Sequence, residues 1–176
     1  MKPNLHTTDS RASHGLLSPV QAGNIFSRRS PLSRAKVIQC LGAALRQHLS
    51  FSLEQVYTSD QQRPINSGSQ SFYPDVWIAT LAKDPVRSRT LVEPGLVVLV
   101  RVTSNIREHA SLLRAYRQIQ GVREILVVDL LSRSVEIFRR EGLENTGWMV
   151  EDFDDCFETE LRTVQFKLSS DFLWPN

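Results

Sequence analysis

Few residues in this 176-residue chain are suited to chemistry, and they are widely spaced. Asp75 follows Pro74 at the head of the β-rich run Tyr73-Pro74-Asp75-Val76-Trp77-Ile78-Ala79. A carboxylate at such a strand entry can point into a cleft as a ligand, or it can cap the backbone of the preceding loop. Arg101 ends the apolar run from Leu96 to Val100, and strand alternation puts it on the same face as Leu99. Its guanidinium is a permanent charge with a forked donor set suited to phosphate, with Arg107 and Arg114 as candidate helpers; the plainer reading is that Arg101 reaches solvent. Glu108 falls at the start of a predicted helix, where the macrodipole favours an acid. The histidines His6, His14, His48 and His109 lack ligand spacing, and Cys40 and Cys156 form no CxxC pair. Zinc sites and disulfide frameworks are therefore unsupported, and the absence of a GxSxG sequence removes the nucleophile-elbow hydrolases. Trp77, Trp148 and Trp174 read as packing residues, since base-stacking platforms come interleaved with basic residues on one sheet face.

The elements that must position these groups are legible in the apolar pattern. Residues 1–32 mix Thr, Ser, Pro, Arg and Gly without a sustained period and read as a mobile arm, with residues 33–176 as a single domain. Arg28, Arg29 and Arg34 form a short basic run able to touch phosphate, although the plainer reading of such a run is solvated surface. Val37, Ile38, Leu41, Leu45 and Leu49 recur at helical spacing behind Ser33 as N-cap. A strand is expected from Leu53 to Thr58, then a long polar loop from Asp60 to Ser71, then core strands at 75–79 and 96–100. Leu112, Leu113, Tyr116 and Ile119 share one helical face, closed by Gly121 as C-cap. Glu124 to Asp129 and Val135 to Arg139 are spaced as a hairpin, with weaker strand signals at 147–150 and 161–166 and a short helical turn near Ser169 to Trp174. This order implies an α/β protein, a mixed sheet with helices packed against it. Hydrophobic residues at 41%, charged residues at 23% and a net charge of +2 describe an ordinary globular chain and announce no nucleic-acid stripe. The longest apolar run is too short for a membrane span, so a soluble cytoplasmic protein is expected.

Four segments, in order, resemble the bacterial, especially cyanobacterial, putative restriction endonuclease family of the PD-(D/E)xK superfamily. They are Phe72-Tyr73-Pro74-Asp75-Val76, then Pro94-Gly95-Leu96-Val97-Val98-Leu99-Val100, then Leu112 to Ile119 with Tyr116-Arg117, and finally Gly121 through Asp129 to Arg140. The resemblance covers residues 33–175 and implies a restriction-endonuclease-like core, a mixed central β-sheet flanked by helices. It also implies a nuclease site in which carboxylates on two adjacent strands hold magnesium or manganese and a lysine steadies the attacking hydroxide.

Asp75 matches the family's metal-binding and catalytic aspartate. The family's glutamate falls at Leu99 and its lysine at Leu112, and a slip of one residue gives Val98 and Leu113, which are equally inert. Glu108 matches an acidic position of the family. The resemblance therefore implies a degenerate nuclease, impaired in catalysis and acting as a module that binds DNA or a protein. An active endonuclease with ligands relocated to Glu93, Glu108 or a symmetry mate is the first alternative. A homodimeric scaffold, joined through an exposed edge strand at Val135 to Phe138, is the second.

Overall fold

The computed structural model describes residues 33–80, 94–102, 106–141 and 147–174. The arm expected over residues 1–32 lies outside them, as do Glu93, Arg28, Arg29, His6 and His14. The Ser33 hydroxyl accepts the Lys36 N–H at 3.2 Å and opens helix α1 (Arg34–His48) as its N-cap. Strand β1 (Glu54–Thr58) follows, then a 3-10 turn at Ser59–Gln61. The polar stretch expected to be a loop contains a small hairpin, β2 (Ile65–Ser67) with β3 (Gln70–Phe72). Its turn holds Gly68 at φ +60°, a conformation glycine adopts without a Cβ penalty. Three-residue strands of polar composition carry too little alternation to stand out from a loop.

Core strands β4 (Val76–Thr80) and β5 (Pro94–Arg101) come next, followed by helix α2 (Ile106–Gln118) and strands β6 (Glu124–Asp129), β7 (Ser134–Glu141) and β8 (Gly147–Phe153). They form with β1 a six-stranded sheet in the order β1-β4-β5-β6-β7-β8. The β5–β6 pair is parallel, because α2 carries the chain back across the sheet, and the other pairs are antiparallel. A second hairpin, β9 (Glu158–Leu161) with β10 (Phe166–Ser169), leads into the short helix α3 (Ser170–Leu173). The strand expected over 161–166 is thus the turn of this hairpin.

Alternation divides the apolar residues into two cores. Val76, Ile78, Leu96, Val98, Val100, Leu126 and Ile137 face α1 and the β9–β10 hairpin. Trp77, Val97, Leu99, Ile125, Val127 and Phe138 face α2, with Leu113, Tyr116 and Ile119 packed on them. Gly42 brings α1 close to β1: a Cβ there would lie 2.6 Å from the Thr58 methyl. All three tryptophans take part in packing: Trp77 and Trp174 are buried, and Trp148 lies half-buried beneath Arg140.

The edge-strand expectation for Val135 to Phe138 is corrected here. Strand β7 lies between β6 and β8, and Val135, Ile137 and Phe138 are buried. The edge is β8, whose alternating, partly charged sequence gave only a weak strand signal.

Candidate functional site

A cleft of about 320 Å³ opens at the end of the sheet where β4 begins and β5 ends, between the N-terminal ends of α1 and α2. Arg34 enters it from α1, Tyr73 and Asp75 from the approach to β4, and residues 99–102 from the end of β5. Helix α2 contributes Glu108, Leu112 and Tyr116, one turn apart on one face, and His109 beside them. Sheet register explains the convergence. Val76 is opposite Val98, and the Asp75 N–H donates to the Val98 carbonyl at 3.1 Å, so Asp75 and Leu99 are the next opposed positions.

Asp75 is buried, with 3% of its surface exposed, and both its oxygens are engaged. Oδ2 accepts the Val100 N–H at 2.7 Å, continuing the ladder where the β4 backbone turns away, and Oδ1 accepts from Nη2 of Arg34 at 2.5 Å. Burial raises the Asp75 carboxyl above the usual value, while the Val100 N–H and Arg34 pull it back part of the way. Tyr116 is buried, and desolvation, joined by the Asp75 charge, pushes its phenol upward, so it stays a neutral donor.

Arg101 lies on the same cleft, paired with acids. Its Nε and Nη2 both reach Oδ2 of Asp129, at 2.9 and 2.5 Å, and Glu136 stands 3.6 Å away. Asp129 also accepts the Leu131 and Ser132 N–H groups at 2.8 and 3.3 Å. Against the effect of burial, these bonds hold its carboxyl below the ordinary range. His109 is half-buried with Nε2 lacking a hydrogen-bond partner; burial and then the Arg101 charge lower its pKa, opposed by Asp129.

The cleft thus brings together Asp75, Leu99, Arg101, Glu108 and Leu112. Arg107 and Arg114 lie on α2, exposed and outside the cleft lining. Sequence reasoning named Arg34 as able to touch phosphate but preferred a solvated surface for it, and missed its pairing with Asp75; its position directly after the N-cap was the one available signal. His109 and Tyr116 were missed as well, although Tyr116 shares the helical face of Leu112.

A divalent cation, implied by the resemblance, can be tested against these donors. Magnesium requires a near-octahedral shell of hard oxygens. Asp75 offers a carboxylate already held by a guanidinium and an N–H, Glu108 is the one other carboxylate among the described residues of the lining, and Leu99 and Leu112 offer no oxygen. Among the described residues no three His, Cys, Asp or Glu side chains are grouped to hold a metal. The residues present do not fit the ion.

A mixed sheet covered by helices, with an aspartate at the head of a core strand facing an end-of-sheet cleft, defines a nuclease-like α/β protein. The chain belongs to the Uma2 family, described as putative restriction endonuclease, whose family model matches residues 20–161. A solved structure with a similar fold is a putative nuclease belonging to DUF820 from Anabaena variabilis ATCC 29413. It superposes with a TM-score of 0.61 at 14% identity, over 82% of each chain. No curated protein matches the sequence. The restriction-endonuclease-like fold expected from the four segments is thereby borne out.

Proposed function

We propose that this protein is a nuclease-fold module that binds nucleic acid at a degenerate cleavage site. The observation that supports this reading is the lining of the cleft, which holds Asp75 together with Leu99 and Leu112, the two residues that the resemblance aligns with the family's glutamate and lysine. Metal-assisted phosphodiester hydrolysis requires a cation to activate water and to neutralise charge on the scissile phosphate. Asp75 facing two leucines, with Glu108 on the helix rather than on the neighbouring strand, lacks the paired strand carboxylates and the lysine that these functions use. DNA is the partner the family supports, and the exposed Arg107 and Arg114 on α2 are candidate backbone contacts. Arg101 contributes to a phosphate contact only by giving up part of its pairing with Asp129 and Glu136. A cytoplasmic location belongs to the same proposal and accords with the free, exposed thiols of Cys40 and Cys156.

The second reading, an active endonuclease using magnesium or manganese with relocated ligands, is favoured by Glu108, which shares the cleft with Asp75. One experiment separates the two. Plasmid and single-stranded DNA are incubated with magnesium or manganese and the wild type, Asp75→Ala, or a Leu99→Glu, Leu112→Lys double variant. The expected result is salt-dependent binding without cleavage by the wild type, and cleavage confined to the double variant. Wild-type cleavage that Asp75→Ala abolishes would overturn the degenerate reading in favour of the relocated site.

A further inference from the structure

The misfit between this cleft and a divalent ion has a positive counterpart. We propose that Arg34 occupies the cation position beside Asp75 and bridges that carboxylate to a backbone phosphate, so that nucleic acid binds without metal. The inference rests on the nucleic-acid reading above and names the group that performs it.

The geometry singles out Arg34. It is the first residue of α1, fixed by the Ser33 cap, and α1 packs against the sheet face opposite α2. Its side chain therefore reaches the cleft across the end of the sheet and meets Asp75 with one Nη. The carboxylate side chain is 4% exposed, whereas the Arg34 side chain is 52% exposed. One donor is thus spent on Asp75 while about half of the Arg34 side chain remains in contact with solvent.

Guanidinium suits this role because its donors form a planar fork and its charge is permanent. Arg101 is less able to serve, since Asp129 and Glu136 already neutralise it. Arg34 also lines a neighbouring cavity of about 570 Å³ with Arg46, Thr58 and Ser59. Arg46 there donates to the Thr58 hydroxyl at 2.8 Å, so a strand leaving Arg34 would run along α1 past a second guanidinium. Asp60 lies in the same cavity and hydrogen-bonds Thr58, which limits the pull of Arg46 on an anion.

Two measurements on the full chain test the proposal. In the first, the wild type is titrated with Mn²⁺ without nucleic acid and followed by water-proton relaxation. No site dependent on Asp75 is expected, and Mn²⁺ binding that Asp75→Asn removes would overturn Arg34 as the resident cation. In the second, affinity for a short DNA duplex is measured in EDTA over a range of salt for the wild type, Arg34→Lys and Arg34→Met. Wild-type affinity should not rise when magnesium replaces EDTA, since the ion would then act only as a competing counterion. Arg34→Met should weaken binding about tenfold and reduce the log–log salt slope by about one. Arg34→Lys should retain most of the slope at lower affinity, and it keeps the second measurement informative if the methionine variant folds poorly. An unchanged affinity and slope in both variants would overturn the bridge. Complete absence of DNA binding by the wild type would overturn the bridge together with the nucleic-acid reading, while the Mn²⁺ titration judges the cation position alone.

Discussion

Asp75 shows how one side chain can serve two accounts at once. Its carboxylate caps the Val100 N–H, as a strand-entry aspartate would, and it also faces the cleft where a nuclease would place a ligand. The local reading and the family reading describe the same atom positions. His109, its neighbour in the cleft, carries the clearest pH signature. Burial and the Arg101 charge set its folded pKa below 6.5, so the unfolded chain holds the proton more tightly. Stability is therefore full above pH 6.5 and falls as pH drops from 6.5 through the lowered folded value. His109→Gln should flatten that fall, as measured by urea denaturation at a series of pH values. An unaltered slope in the variant would show that other groups account for it.

Among the elements, α2 depends on a side chain that its own sequence does not reveal. The helix was expected to run to Gln120 with Gly121 as its cap, yet it ends at Gln118. Arg140 of β7 reaches under its last turn and donates to the carbonyls of Arg117, Ile119 and Val122 at 2.8, 2.9 and 2.9 Å. Of these, the Arg117 carbonyl belongs to the last turn of the helix, whose carbonyls lack intrahelical partners, and the Ile119 carbonyl also accepts the Val122 N–H at 3.1 Å. Charge-assisted bonds of this kind contribute about 1.5–3 kcal/mol each, and water recovers part of that when they are lost. Arg140→Ala is expected to cost about 2–3 kcal/mol on the same grounds. Denaturant titration measures it, and a loss below about 0.5 kcal/mol would mean that water replaces the cap fully.

Across the whole molecule, the sheet and the β9–β10 hairpin are joined by one buried acid. Glu124 on β6 is 1% exposed and accepts from Arg139 Nε at 2.9 Å on β7. It also accepts the Arg162 and Thr163 N–H groups of the hairpin turn at 3.2 and 3.0 Å. Arg139 in turn donates to the Glu160 carbonyl at 2.8 Å and pairs with Glu151 on β8. Breaking a buried pair from one side costs about 3–5 kcal/mol, and Glu151, which stays beside Arg139, places this one at the lower end, about 3 kcal/mol. Glu124→Ala should therefore lower unfolding free energy by about that amount, and Glu124→Gln by less, because the amide oxygen still accepts one of the two turn N–H groups, which reach different carboxylate oxygens. Equal losses for the two variants would contradict this account.

What the sequence determined by itself was whatever depends on near neighbours. The Ser33 cap, the apolar face of α1, the continuous run of β5 and the Leu113–Tyr116–Ile119 stripe all follow from periods of two or 3.6 residues, which operate within a dozen positions. The order of four such segments also sufficed to indicate the family. Tertiary structure alone decided the partners. Arg34 meets Asp75 across 41 positions and Arg101 meets Asp129 across 28, because sheet register and the placement of α1 bring their elements together. It also made β7 an interior strand, since β8 pairs along its outer side despite a sequence with little apolar alternation. Pairing of that kind is bought with backbone hydrogen bonds, which leave no mark on residue type, and for that reason the cleft's electrostatics could not be read before its walls were assembled.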